Sequence, residues 1–168
     1  EFCVGSQILV ECINTRSRQC VTESWAVGRL LSVMNIMHNL GRFLQWDTRV
    51  GNMVRWIPRG MSKAADKLAN SALGTGGNPR SIGLETYDCL RWMREETVSE
   101  NCRFKIFSGG GKRGGELAAY GWVIMMPTRG LGEWRLAGLG AGILRGTVPH
   151  AEVVGLMEAA KAVTELST

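Results

Sequence analysis

The chain has 168 residues, of which 45% are hydrophobic and 21% charged, with a formal net charge of +5. This balance predicts one globular domain and excludes a disordered chain. No apolar run reaches the roughly 18 residues that a membrane span needs, and Glu1-Phe-Cys-Val-Gly-Ser6 lacks the basic-then-apolar pattern of a signal peptide, so an intracellular protein is expected. The five cysteines have no CxxC spacing, which predicts free thiols rather than a metal site or a disulfide framework.

In chain order, residues 8–13 read as a buried strand. Thr22 is a candidate cap for a helix carrying Val27, Leu30, Leu31, Met34, Met37 and Leu40 at helical spacing, with Trp25 and Trp46 near its ends. Core packing explains that methionine-rich stripe better than a cofactor box does. Gly51-Asn52 signals a turn before a short strand at 53–57 that Pro58 stops, with Trp56 expected in the core. Ser62 is a candidate N-cap for a helix with Ala65, Leu68, Ala69, Ala72 and Leu73 on one face, and Gly74 fits a C′ position.

Residues 74–102 read as a linker that opens rich in Gly, Asn, Pro and Thr. Residues 87–93 offer one or two helical turns and Glu95, Glu96 and Glu100 a solvated stretch. A half-buried strand follows at 104–107, and the glycines after it read as a turn. Residues 120–126 and 133–140 then form an expected antiparallel pair. Pro149 opens a last helix with Val153, Leu156, Met157, Ala160 and Val163 on one face.

Two segments carry chemistry. The first is Trp56-Ile-Pro-Arg59 followed by Lys63-Ala-Ala-Asp66-Lys-Leu-Ala69. The second runs from Gly109-Gly-Gly-Lys-Arg-Gly114 through Ala119-Tyr-Gly-Trp-Val-Ile124 and Gly132-Glu-Trp-Arg135 to His150-Ala-Glu152-Val-Val-Gly-Leu-Met-Glu-Ala159. Residues 103–168 resemble the first half of a type 1 ribonuclease H domain of retroelement style, and residues 1–73 resemble its second half. The family runs meander, first helix, second acidic strand, middle helix, last strand, last helix. This chain has the halves in reverse order.

The resemblance implies an α/β domain with a five-stranded mixed sheet flanked by helices, in circularly permuted connectivity. The alternative is that the chain spans the tail of one such unit and the head of the next. The 29-residue linker can extend up to about 95 Å, ample to join the old termini. A closed monomer is expected, with an exchange of halves between two copies as the alternative.

The resemblance also implies a function: binding of RNA–DNA hybrid or other nucleic acid, in a class that hydrolyses the RNA strand with two Mg²⁺ or Mn²⁺ ions held by four acids. Glu152 takes the helix acid and Asp66 the last-helix acid. The first-strand acid falls at Ser108 or Gly109 and the second-strand acid at Ile13 or Asn14, none of them a carboxylate. Metal binding is therefore expected to be weak and cleavage impaired, which makes a non-catalytic binding or structural module, or a decayed retroelement fragment, the competing reading. Glu11 lies near the second-strand site, but strand alternation would point it away from the face of Cys12. The helper asparagine aligns with Ser62, and Val148-Pro-His150 replaces an Asn-Asn-Arg.

The glycine loop before Lys112 and Arg113 lacks the Gly-Lys-Ser/Thr ending of a P-loop. A nucleic-acid backbone contact by Lys112 or Arg113 is read instead, with a solvated turn as the alternative, and Arg59 and His150 are further candidate contacts. His38 reads as an ordinary surface or packing residue.

Overall fold

A computed structural model describes residues 1–15, 24–46, 49, 51–61, 63–75, 104–112, 116–127 and 134–167. Its elements in order are β1 (Phe2–Val4), α1 (Gln7–Thr15), α2 (Ser24–Phe43), β2 (Val54–Trp56), a 3-10 turn (Arg59–Met61), α3 (Lys63–Thr75), β3 (Lys105–Lys112), β4 (Leu117–Pro127), β5 (Trp134–Arg145) and α4 (Val148–Ser167). The expected features at Thr22, Ser62, Arg113 and most of the linker lie outside the described residues.

The expected strand at 8–13 is a helix, and the strand lies earlier, at Phe2–Val4. Ser6 decides this locally: its hydroxyl accepts from Leu9 N–H at 3.3 Å and its carbonyl from Val10 N–H at 3.1 Å, an N-cap arrangement. Leu9, Val10, Cys12 and Ile13 are then buried together at helical spacing while Glu11 is exposed. A short apolar run with one charge fits either period, and the cap tips it. Ser6→Ala is expected to cost about 1 kcal/mol, read as a lower urea midpoint at unchanged m. Cys12 is disulfide-bonded, against the expectation of free thiols.

Strands from both segments share one five-stranded sheet in the order β2-β1-β3-β4-β5. β1 runs parallel to β2 and to β3, with Val4 opposite Ser108, while β3, β4 and β5 form an antiparallel meander. Alternate residues of the sheet feed two cores. Phe2, Val4, Ile106 and Ile124 pack with α1, α2 and α4 on one face. Cys3, Phe107, Val123 and Met125 pack under Ala65, Leu68, Ala69 and Ala72 of α3 on the other.

The helix readings hold in outline. In α2 the buried stripe is Leu30, Val33, Met37 and Leu40, and the helix closes with Gln45 at φ 54° and Trp46 N–H donating to Gly41 O at 2.9 Å. Helix α3 continues past Gly74 to Thr75. Trp56, expected in the core, is 45% exposed because β2 is an edge strand; Ile57 is buried instead. Gly109–111, expected as a turn, belong to β3 and pair with Ala119, Tyr120 and Gly121 of β4.

Candidate functional site

Three helices begin at one edge of the sheet. α1 follows the carboxyl end of β1, α3 follows that of β2, and α4 follows β5, whose Arg145 lies opposite Leu117 beside the end of β3. Gly146 N–H donates to Glu116 O at 3.0 Å and ties that corner together. Strand β1 stops at Val4, opposite Ser108, while β3 runs on for four more residues, which leaves a notch in the sheet beyond Val4. Ile106 N–H donates to Glu1 O, so by the strand period of two the backbone of Gly110 also faces the β1 side, at this notch.

The glycines Gly109, Gly110 and Gly111 line the notch, and a polar side chain occupies the space beside each. A Cβ built on Gly109 would overlap Asp66 Oδ1. One on Gly110 would stand 2.9 Å from Glu152 Cγ, and one on Gly111 would stand 3.1 Å from Asn70 Oδ1. Asp66 lies in the first turn of α3 and is half-buried; Glu152, one turn into α4, is 8% exposed. The two acids therefore reach neighbouring residues of one strand, from opposite faces of the sheet. Adjacent Cα atoms are 3.8 Å apart, so Asp66 Oδ1 and Glu152 Cγ are separated by no more than about 12 Å.

The remaining expected positions divide. Ser108 is buried, between Val4 and Trp122 in the sheet. Ile13 and Asn14 are corrected: they lie in the last turns of α1, where Ile13 is buried and Asn14 Nδ2 donates to Val54 O at 3.0 Å. The residues that follow β1 are Gly5 and Ser6. His150 is half-buried in the first turn of α4, where its N–H donates to Thr147 Oγ1 at 3.4 Å. Lys112 ends β3 opposite Ala118; its side chain, that of Arg59 and all of Arg113 lie outside the described residues. His38 is exposed on α2.

Sequence reading missed Asn70, one turn after Asp66, because only packing on Gly111 marks it. It also missed three exposed cations at the helix-start edge, Lys63, Lys67 and Arg145. Lys63 and Lys67 flank Asp66 in the sequence, a pattern any solvated helix start can show. Among the described residues no group of three or more His, Cys, Asp or Glu side chains comes together, and no helix is long and apolar enough to cross a membrane.

Cys3, on the α3 face of β1, is buried and has its thiol pushed up to about 12, first by burial and then by the Glu1 carboxylate. The neutral thiol is therefore the native form. Native protein should leave Cys3 unalkylated at pH 8, where the unfolded chain reacts. Below the ordinary value of 9.0 both states are neutral at this group; as pH rises from there towards 12 only the unfolded state ionises, so stability falls across that window.

No protein-family model, curated protein or solved structure matches the chain.

Proposed function

We propose that the chain is a ribonuclease H-like domain with its two halves in permuted order, a monomer that binds nucleic acid (RNA–DNA hybrid or duplex) and is impaired in cleaving it. The observation that carries this reading is the meeting of Asp66 and Glu152, distant in sequence and from the two resembling segments, on adjacent glycines of the central strand. The parallel β1–β3 pairing, which closes both segments into one sheet within a single chain, supports it further.

The edge itself suits an anionic partner. Helix N-termini carry partial positive charge and spare N–H donors, and three of them begin here. Lys63, Lys67 and Arg145 add exposed positive charge, and the chain carries a net +5. Phosphates are the natural match for such an edge, with Lys112, Arg113, Arg59 and His150 as further contacts.

The residues at hand do not fit a pair of divalent cations. Each hard cation needs several oxygen ligands, and a two-metal site needs an anionic bridge between ions roughly 4 Å apart. Here two acids approach one strand from opposite faces, Ser108 and Gly109 offer no carboxylate, and Gly5 and Ser6 follow β1 where a second acid would be required. Binding without efficient cleavage follows from that donor set.

Fluorescence anisotropy with a labelled hybrid tests the reading. Affinity should fall with salt, and charge reversal at Lys63, Lys67 and Arg145 should weaken binding. The log–log slope should shrink by roughly 0.9 for each phosphate that is no longer neutralised. Absence of binding by the wild type, or indifference to the three reversals, would refute it.

A further inference from the structure

A cleft of about 340 Å³ runs along the outer edge of β2, too small for a duplex and within the roughly 300–1,000 Å³ of sites that take one small ligand. Two indoles wall it. Trp46 is held at both ends: its backbone N–H donates to Gly41 O at 2.9 Å and its Nε1–H to Gly51 O at 2.8 Å. Trp56, the second, is the half-exposed end of β2. Asn14 and Asn52, both exposed, bring amides that can donate and accept. Arg55 and Glu1 also line the cleft, paired at 2.9 Å, so their charges offset each other. A planar, neutral, hydrogen-bonding ring fits these walls better than a phosphate does.

The sheet register links this cleft to the edge where the helices begin. Trp56 lies opposite Val4 and Val4 opposite Ser108, so Trp56 and Ser108 stand at one level of the sheet, about 10 Å apart across β1. Cross-strand neighbours share a face, here the face of Val4, α1 and α4, from which Glu152 reaches the glycine run. The edge of β2 is not open to a further strand. Phe2 N–H donates to Met53 O and Ile57 N–H to Val4 O, so Val54 and Trp56 turn their backbone groups outward. Asn14 Nδ2 already donates to Val54 O at 3.0 Å. That cap leaves the cleft to a ligand that lies against side chains.

We infer that the cleft seats one unpaired base of a nucleic-acid strand, stacked on Trp56 with the Asn14 and Asn52 amides at its rim. A duplex lies at the helix starts, and its single-stranded continuation passes β1 into the cleft. The choice of ligand rests on the nucleic-acid reading of the neighbouring edge.

Anisotropy with three labelled probes tests it: a blunt RNA–DNA hybrid, the same hybrid with a short unpaired tail on either strand, and an unpaired oligonucleotide alone. The tail should tighten binding by about 5- to 150-fold, the yield of one stacked base. Trp56→Leu keeps an apolar side chain but no stacking plane. It should abolish that gain and leave both Tm and the affinity for the blunt hybrid unchanged. Trp56→Phe should retain most of the gain. A tail that adds nothing, or a gain that survives Trp56→Leu, would overturn the seat even while the blunt hybrid binds. If the blunt hybrid fails to bind, the reading of the edge falls and the oligonucleotide alone decides the cleft: Trp56-dependent binding keeps it, and its absence overturns it. Binding of an extended peptide in place of the oligonucleotide, strengthened by Asn14→Ala, would make the cleft a strand-addition site and likewise overturn it.

Discussion

A labelled RNA–DNA hybrid incubated with the protein and millimolar Mg²⁺ or Mn²⁺ is expected to come out uncut, and Glu152→Gln to change nothing in that assay. Losing mere outer-shell support of a metal ligand already costs about 10–100-fold in affinity or activity. On the proposed ribonuclease H-like reading two primary anionic ligands are missing, one on β3 and one after β1, so the rate should fall by at least about 100- to 10,000-fold against an intact site of that design. A hydroxyl such as that of Ser108, itself buried between Val4 and Trp122, does not replace a bridging carboxylate for a hard cation. Metal-dependent cleavage by the wild type that Glu152→Gln abolishes would contradict this, and would mean that the acids rearrange around bound ions. Cleavage that persists in Glu152→Gln would point to a different site or a contaminant.

Gly121→Val is expected to destabilise the domain by about 3 kcal/mol or more. The atoms a new side chain meets are backbone and Cβ atoms of α3, which cannot swing aside as a flexible side-chain tip can. Either the helix lifts, and Ala65, Leu68, Ala69 and Ala72 lose their seats against the sheet, or the sheet bends. Against a typical domain stability of about 5–15 kcal/mol this is a large fraction, and it corresponds to a Tm loss of about 6–12 °C. Gly60→Ala is the control: nothing stands within 4 Å of a Cβ there, and its effect should stay within about 0.5 kcal/mol. Denaturant unfolding of both variants checks the pair. A Gly121→Val protein within 1 kcal/mol of the wild type, on the order of one ordinary surface change, would mean that α3 does not lie on the β3–β4 pair as described.

Much of the fold is legible in the sequence where one period dominates. α2, α3 and α4 are long enough for the 3.6-residue stripe to separate itself from a strand pattern, and β4 and β5 are flagged by turn residues on either side. Residues 8–13 fail because six residues cannot distinguish the two periods, and the deciding bond comes from Ser6, outside the apolar run. The glycines at 109–111 fail for a different reason. Alone, three glycines favour a turn, since nothing local fixes their backbone. They become strand because β4 pairs with them and because Asp66, Glu152 and Asn70 fill the space their side chains would take, from helices remote in sequence. Asp66 and Glu152 are singled out in the sequence only by the resemblance, whereas Asn70 and Gly121 acquire meaning only from packing. Trp56 shows the same limit, since whether an aromatic at the end of a strand is covered depends on whether that strand is central or at the edge.

The most direct test is an NMR measurement on the uniformly labelled protein at residues 109–111. Slowly exchanging amides are predicted at Gly109 and Gly111, whose backbones face β4, together with nuclear Overhauser contacts from Gly109 Hα to the Asp66 side chain and from Gly110 Hα to the Glu152 side chain. Fast exchange at Gly109 and Gly111 with neither contact, as in a solvated turn, would contradict the convergence of both acids on β3 and remove the basis of the functional reading.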